Sequence, residues 1–140
     1  MADIFTKENR SEVMSLIRPK GTKLGKLVFS HLRKERIYFQ KHYKKASGSP
    51  NIAVPSKKLA VFIDGDFRHG WQFSRWKDKL PRKYWQGKIR ANIDRDRRTF
   101  ARLRRTGWKV LRIWEHDLKS SRRDATFKRI FGFLRQSRNR

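Results

Sequence analysis

Residues Leu59 to Ile63, read as Leu-Ala-Val-Phe-Ile, form an unbroken apolar run that ends in Asp64. A strand with one wet face alternates apolar and polar residues. A strand apolar at every position is covered on both faces. Residues 59–64 therefore predict the central strand of a sheet with packed layers above and below. The rest of the chain supplies those layers. Residues 7–17 predict a short helix, with Met14 and Ile17 on one side. Residues 22–36 predict a second, in which Leu24, Leu27, Val28 and Leu32 follow the helical period, Thr22 can cap the start and Gly25 falls in the first turn. Residues 37–45 and 51–55 predict strands joined by a turn at "ASGSPN", and 73–81 predict a loop. Residues 82–105 predict a long helix, with Trp85, Ile89, Ile93, Phe100 and Leu103 on its buried side and Gly107 as its stop. Residues 108–115 predict another strand, and 124–136 a closing amphipathic helix. The fold class is α/β: a mixed central sheet flanked by helices. One domain accounts for all 140 residues, with an N-terminal helix in residues 1–20 and a basic C-terminal helix in residues 119–140.

Charge selects the partner. The chain carries 38 Lys and Arg against 12 Asp and Glu, a formal net charge of +26. A domain this basic repels itself until it meets an anion. Nucleic acid is favoured over membrane, because no segment approaches the ~20 apolar residues that span a bilayer. The opening "MADIFTKENR" has no apolar stretch of the kind a signal peptide needs. Cysteine is absent, which excludes disulfides and cysteine-based zinc sites. A cytoplasmic, nucleoid-associated protein is expected. Charge alone also fits a ribosome-like or histone-like binder with no chemistry.

The strand exit "VFIDGDFRHG" turns the argument toward catalysis. Phosphodiester cleavage needs a divalent metal, a base that activates water, and cations that hold DNA. Magnesium takes hard oxygen ligands, so Asp64 and Asp66 are candidates, and His69 is a candidate acid or base. The competing reading is a polar strand exit. Likewise Glu115, His116 and Asp117 are either a second acidic cluster or a polar strand end. His31 and His42, with no partners in sequence, are read as surface or packing histidines. Trp71 and Trp76 are candidates for stacking on bases.

Three blocks resemble the very-short-patch-repair endonucleases of the PD-(D/E)xK nuclease superfamily: "MADIFTKENRSEVMSLIRPKGTK", "SGSPNIAVP…LAVFIDGDFRHG" and "YWQGKIRANIDRDRRTFARLRRTGWKVLRIWEHDL". The resemblance spans roughly residues 1–118. It implies a restriction-endonuclease-like fold and a magnesium- or manganese-dependent nickase that cuts double-stranded DNA beside T·G mismatches. It further implies that the principal metal aspartate falls at Asn51, a helix glutamate at Gly25, and a histidine after the central strand at Asp64. His69 matches the catalytic histidine and Asp96 the acid supporting it. Asn51 and Asp64 are then the metal positions. Met14 and Phe67 match side chains wedged into the base stack, and Arg68 stands where a second aromatic is expected. Arg95, Arg97 and Arg98, on the basic helix, are the expected phosphate contacts. The family's structural zinc is not expected, because Asp66 stands at one ligand place and cysteine is missing. The amide at Asn51 and the glycine at Gly25 imply weak or absent hydrolysis, or a site rebuilt on Asp64, Asp66 and Asp96. One domain with one site implies a monomer that nicks one strand. Two alternatives accompany this reading: a DNA-binding module that keeps the fold without catalysis, and a mismatch-independent homing- or restriction-type nuclease.

Overall fold

The computed structural model describes residues 21–66, 70, 83–119 and 121–136, with side chains omitted at 21, 22 and 83–85. The expected helix at 7–17, the loop at 73–81, and Met14, Phe67, Arg68, His69, Trp71 and Trp76 lie outside them.

The elements run α1 (Gly21–Lys34), β1 (Gln40–Lys41), β2 (Ile52–Val54), a 3-10 turn (Pro55–Lys57), β3 (Leu59–Asp64), α2 (Lys83–Arg105), β4 (Lys109–Trp114), α3 (Glu115–Lys119) and α4 (Arg123–Arg135). The four strands form one sheet in the order β1-β2-β3-β4. β1 and β2 pair antiparallel, as do β2 and β3, whereas β3 and β4 are parallel. A parallel pair needs a crossover, and α2 lies within the segment that joins β3 to β4.

The run 59–64 is buried at every residue, and its side chains divide between two cores, as the two-residue strand period requires. Leu59, Val61 and Ile63 join Val28 and Leu32 of α1 and Phe127, Ile130 and Leu134 of α4. Ala60 and Phe62 join Phe100 and Leu103 of α2, with Val110 of β4 packed beside them. Asp64 is next in the second series and faces the α2 layer.

Several expectations are corrected. The strand foreseen at 37–45 contracts to Gln40–Lys41. Arg36 and His42 both have positive φ, 55° and 48°, which interrupts extended backbone on either side. Between β2 and β3 the 3-10 turn is closed by Lys58 in the left-handed region, with no strand expectation to revise. The strand end at 115–119 is a helical turn, α3. Asp117 Oδ2 accepts the Trp114 N–H at 3.2 Å, as the third helical residue does in a capping box. The stop at Gly107 (φ +91°) holds: Trp108 N–H reaches Leu103 O and Gly107 N–H reaches Arg104 O, the two bonds of a Schellman cap.

Candidate functional site

The site is assembled on one face of the parallel strand pair, from β3, β4 and α2. Asp96 lies in the buried stripe of α2, at helical spacing from Asn92 and Phe100, and is itself buried. Arg112 sits mid-strand on β4, opposite Phe62 in the register. Both side chains turn to the space where Asp64 emerges. Arg112 Nε donates to Asp64 Oδ2 at 2.8 Å, and its Nη2 donates to Asp96 Oδ2 at 2.8 Å. One guanidinium thus bridges two carboxylates. Its carbon lies 4.0 Å from the Trp114 ring centroid and 5.1 Å from that of Phe100. Asp64 is 6% exposed and Asp96 8%. Carboxylates this dry are stable as anions only with a cation or several donors at hand, and the guanidinium answers both.

Asn51, the residue before β2, borders the site. Its side-chain Oδ1 accepts the Ile63 N–H at 2.8 Å, one residue before Asp64. Its backbone carbonyl accepts the His42 N–H at 3.0 Å. The amide therefore helps fix the end of the β2–β3 pairing. Gly25 belongs to the other layer. It is buried on α1, and among the described residues a Cβ built there would meet Phe29 alone, at 3.8 Å. The described contacts bring Asp64 and Asp96 together and put Asn51 beside them; they do not bring Gly25 to the pair.

Donor chemistry tests whether these residues suit a divalent metal. Asp64 Oδ2 is occupied by a guanidinium, and Asn51 Oδ1 by a backbone N–H. Among the described residues, no group of three or more acidic, histidine or cysteine side chains is arranged to hold a metal ion. Magnesium demands near-octahedral oxygen coordination. The described site, with its cation place filled by Arg112, does not fit it.

A second polar cluster closes the strand exit. His116 Nδ1 lies 2.9 Å from Asp66 Oδ1, and its Nε2 3.4 Å from Asp117 Oδ1. Asp66 N–H donates to Glu115 Oε1 at 3.4 Å, and His116 N–H to Asp66 Oδ1 at 3.4 Å. Asp66 therefore ties its turn to α3, so Glu115, His116 and Asp117 form a cross-linking cluster rather than a loose strand end. His31 is a packing histidine, bonded to Leu27 O and stacked 4.2 Å from Phe127. His42 packs edge-on against Phe29.

Arg95, Arg97 and Arg98 flank buried Asp96 and are exposed. Gly70, the residue after His69, lies against Ile89 and Ile93 of α2 with φ +74°. Any Cβ there would collide with Ile93, so glycine lets the chain run close to the helix that carries Asp96.

Arg112 is the residue that the sequence reading missed. Its signal was an arginine between apolar neighbours in "KVLRIW".

The family model described as DNA mismatch endonuclease Vsr matches residues 2–75. The type II nicking enzyme V.XorIIP of Xanthomonas oryzae is 36% identical over 121 residues, covering 84% of this chain and 88% of its own length. The type II nicking enzyme V.NmeDIP of Neisseria meningitidis is 34% identical over 118 residues, 83% of this chain and 80% of that one. The DNA mismatch endonuclease Vsr of Escherichia coli is 32% identical over 120 residues, 85% of this chain and 77% of that one.

Proposed function

Because this chain belongs to the DNA mismatch endonuclease Vsr family, we propose that it is a DNA endonuclease that nicks one strand of a duplex beside a T·G mismatch, as a monomer, and that hydrolysis is weak in the chain as it stands. The mixed sheet flanked by helices is the restriction-endonuclease-like fold of that family. The observation that carries the reading is the likeness to mismatch and nicking endonucleases, at 32% to 36% identity across more than four-fifths of the chain, together with an arginine-rich helix beside the sheet. Arg95, Arg97 and Arg98 would hold the DNA backbone. Met14, Phe67 and Arg68 would enter or line the base stack. Asp96 would orient His69, which would act on the attacking water or the leaving oxygen.

Nucleases of this family use a divalent metal, and magnesium or manganese is the ion we assign to a complete site. Asn51 and Gly25 leave it incomplete. An aspartate at 51 keeps the acceptor for the Ile63 N–H and adds the missing charge. A side chain at 25 has room among the described residues, where Phe29 comes no closer than 3.8 Å to its Cβ. Supercoiled plasmid and T·G-containing duplexes, incubated with either ion, test this directly. The Asn51→Asp, Gly25→Glu protein is expected to nick, and the unaltered chain to bind the same duplex and nick far more slowly. Equal, rapid nicking by both would overturn the assignment of Asn51 and Gly25.

A binding module without catalysis is the second reading. The occupied carboxylate pair favours it, and it takes over if both proteins bind and neither cuts.

A further inference from the structure

We infer that Arg112 is the resident cation of the Asp64–Asp96 pair and that it keeps divalent ions off Asp64. The inference rests on the reading of Asp64 as a metal position. Three observations carry it. First, the geometry is a fork: Nε serves one carboxylate and Nη2 the other, each at 2.8 Å. A guanidinium keeps its charge at every physiological pH and holds its donors in a fixed plane, so it serves both acids at once. Second, the guanidinium is itself held. The Trp114 ring lies 4.0 Å away and the Phe100 ring 5.1 Å, and planar aromatic faces favour a cation so placed. Third, the acids are dry. The Asp64 side chain is 8% exposed and that of Asp96 12%, so solvent does little to screen the attraction or to replace it.

A divalent ion reaching Asp64 Oδ2 meets two obstacles. It must displace Nε, which strands an arginine among aromatic rings beside a half-neutralised acid. Otherwise it must sit next to the guanidinium as a like charge in a poorly screened site. The neighbouring amide of Asn51 gives no compensating charge. An ion held by acids restored at 51 and 25 need not use Asp64, so the two tests are distinct.

Manganese binding separates this from simple loss of ligands. Mn2+ is titrated by calorimetry into the unaltered chain, Asp64→Asn, Arg112→Met, and Arg112→Met with Asp64→Asn, each checked for native circular dichroism. The unaltered chain is expected to show no saturable uptake that depends on Asp64. Arg112→Met, which keeps an apolar stem against Trp114 and Phe100, is expected to bind at least about tenfold tighter, and adding Asp64→Asn should abolish the gain. Uptake by the unaltered chain that disappears in Asp64→Asn overturns the inference, as does a folded Arg112→Met protein that binds no better than its parent. Should Arg112→Met not fold, Arg112→Gln replaces it under the same two criteria. Duplex DNA retention on the same samples reports separately on the nuclease reading, since it depends on the exposed arginines and not on manganese.

Discussion

At the scale of single residues, two cross-strand clusters define the site region. Arg112 balances Asp64 and Asp96; His116 bridges Asp66 and Asp117. The second cluster is wetter, with His116 25% and Asp66 28% exposed, so each of its contacts is worth little alone. Its value is positional, because it fastens the strand exit to α3. His116→Ala is expected to lower stability by about 1 kcal/mol, read as a shift in urea midpoint with an unchanged slope. Asp64 was legible from the apolar run that it closes, Asp96 only through the family resemblance of the block that holds it. Arg112 was not, because what it does depends on which residue the parallel register sets near it, 48 positions upstream. No local pattern carries that information. The partnership of Asp66 with His116 was hidden for the same reason, being a contact across 50 positions.

At the scale of elements, periodicity announced what packing decides. The long helix, the central strand, β4 and α4 begin and end within about two residues of where their apolar spacing placed them, an ordinary boundary uncertainty. Short elements escaped. α3 has five residues, fewer than two turns, and offers no period to read. β1 was overdrawn because β-branched and aromatic residues favour extension wherever they occur, while positive φ at Arg36 and His42 comes from the turns around it. The end of α2 shows how a single residue sets a boundary. Gly107 holds φ +91° and allows Trp108 to fold back on Leu103. Among the described residues an added Cβ meets nothing nearer than 3.5 Å, on Lys58, so the penalty is one of backbone conformation. Gly107→Ala should cost roughly 1–2 kcal/mol, measurable as a fall in thermal midpoint without loss of fold.

For the molecule as a whole, charge dominates. A net charge of +26 cannot be neutralised from within, because 12 acids face 38 basic residues and several of those acids already sit in ion pairs. The surplus is displayed on helices, including exposed Arg95, Arg97 and Arg98. Among the described residues no helix is long and apolar enough to cross a membrane. Replacing all three arginines with glutamine is expected to flatten the dependence of log affinity for duplex DNA on log salt by about 2–3, near 0.9 for each phosphate that is no longer neutralised. Titrating binding across salt concentrations checks this. An unchanged slope would remove α2 from the DNA interface. The charge told the partner class from composition alone; which surface meets it required the helix to be folded.

The strand pairing carries a consequence for synthesis. β3 and α2 leave the ribosome before β4, and Arg112 is the last of the three site residues to appear. Contacts this distant in sequence form late, because a long loop must close first. A growing chain therefore carries its two acids on separate elements, out of reach of Arg112, until its final strand docks. The same docking step that completes the sheet also quenches the acidic pair, so the nascent protein and the finished one present different electrostatic faces at this spot.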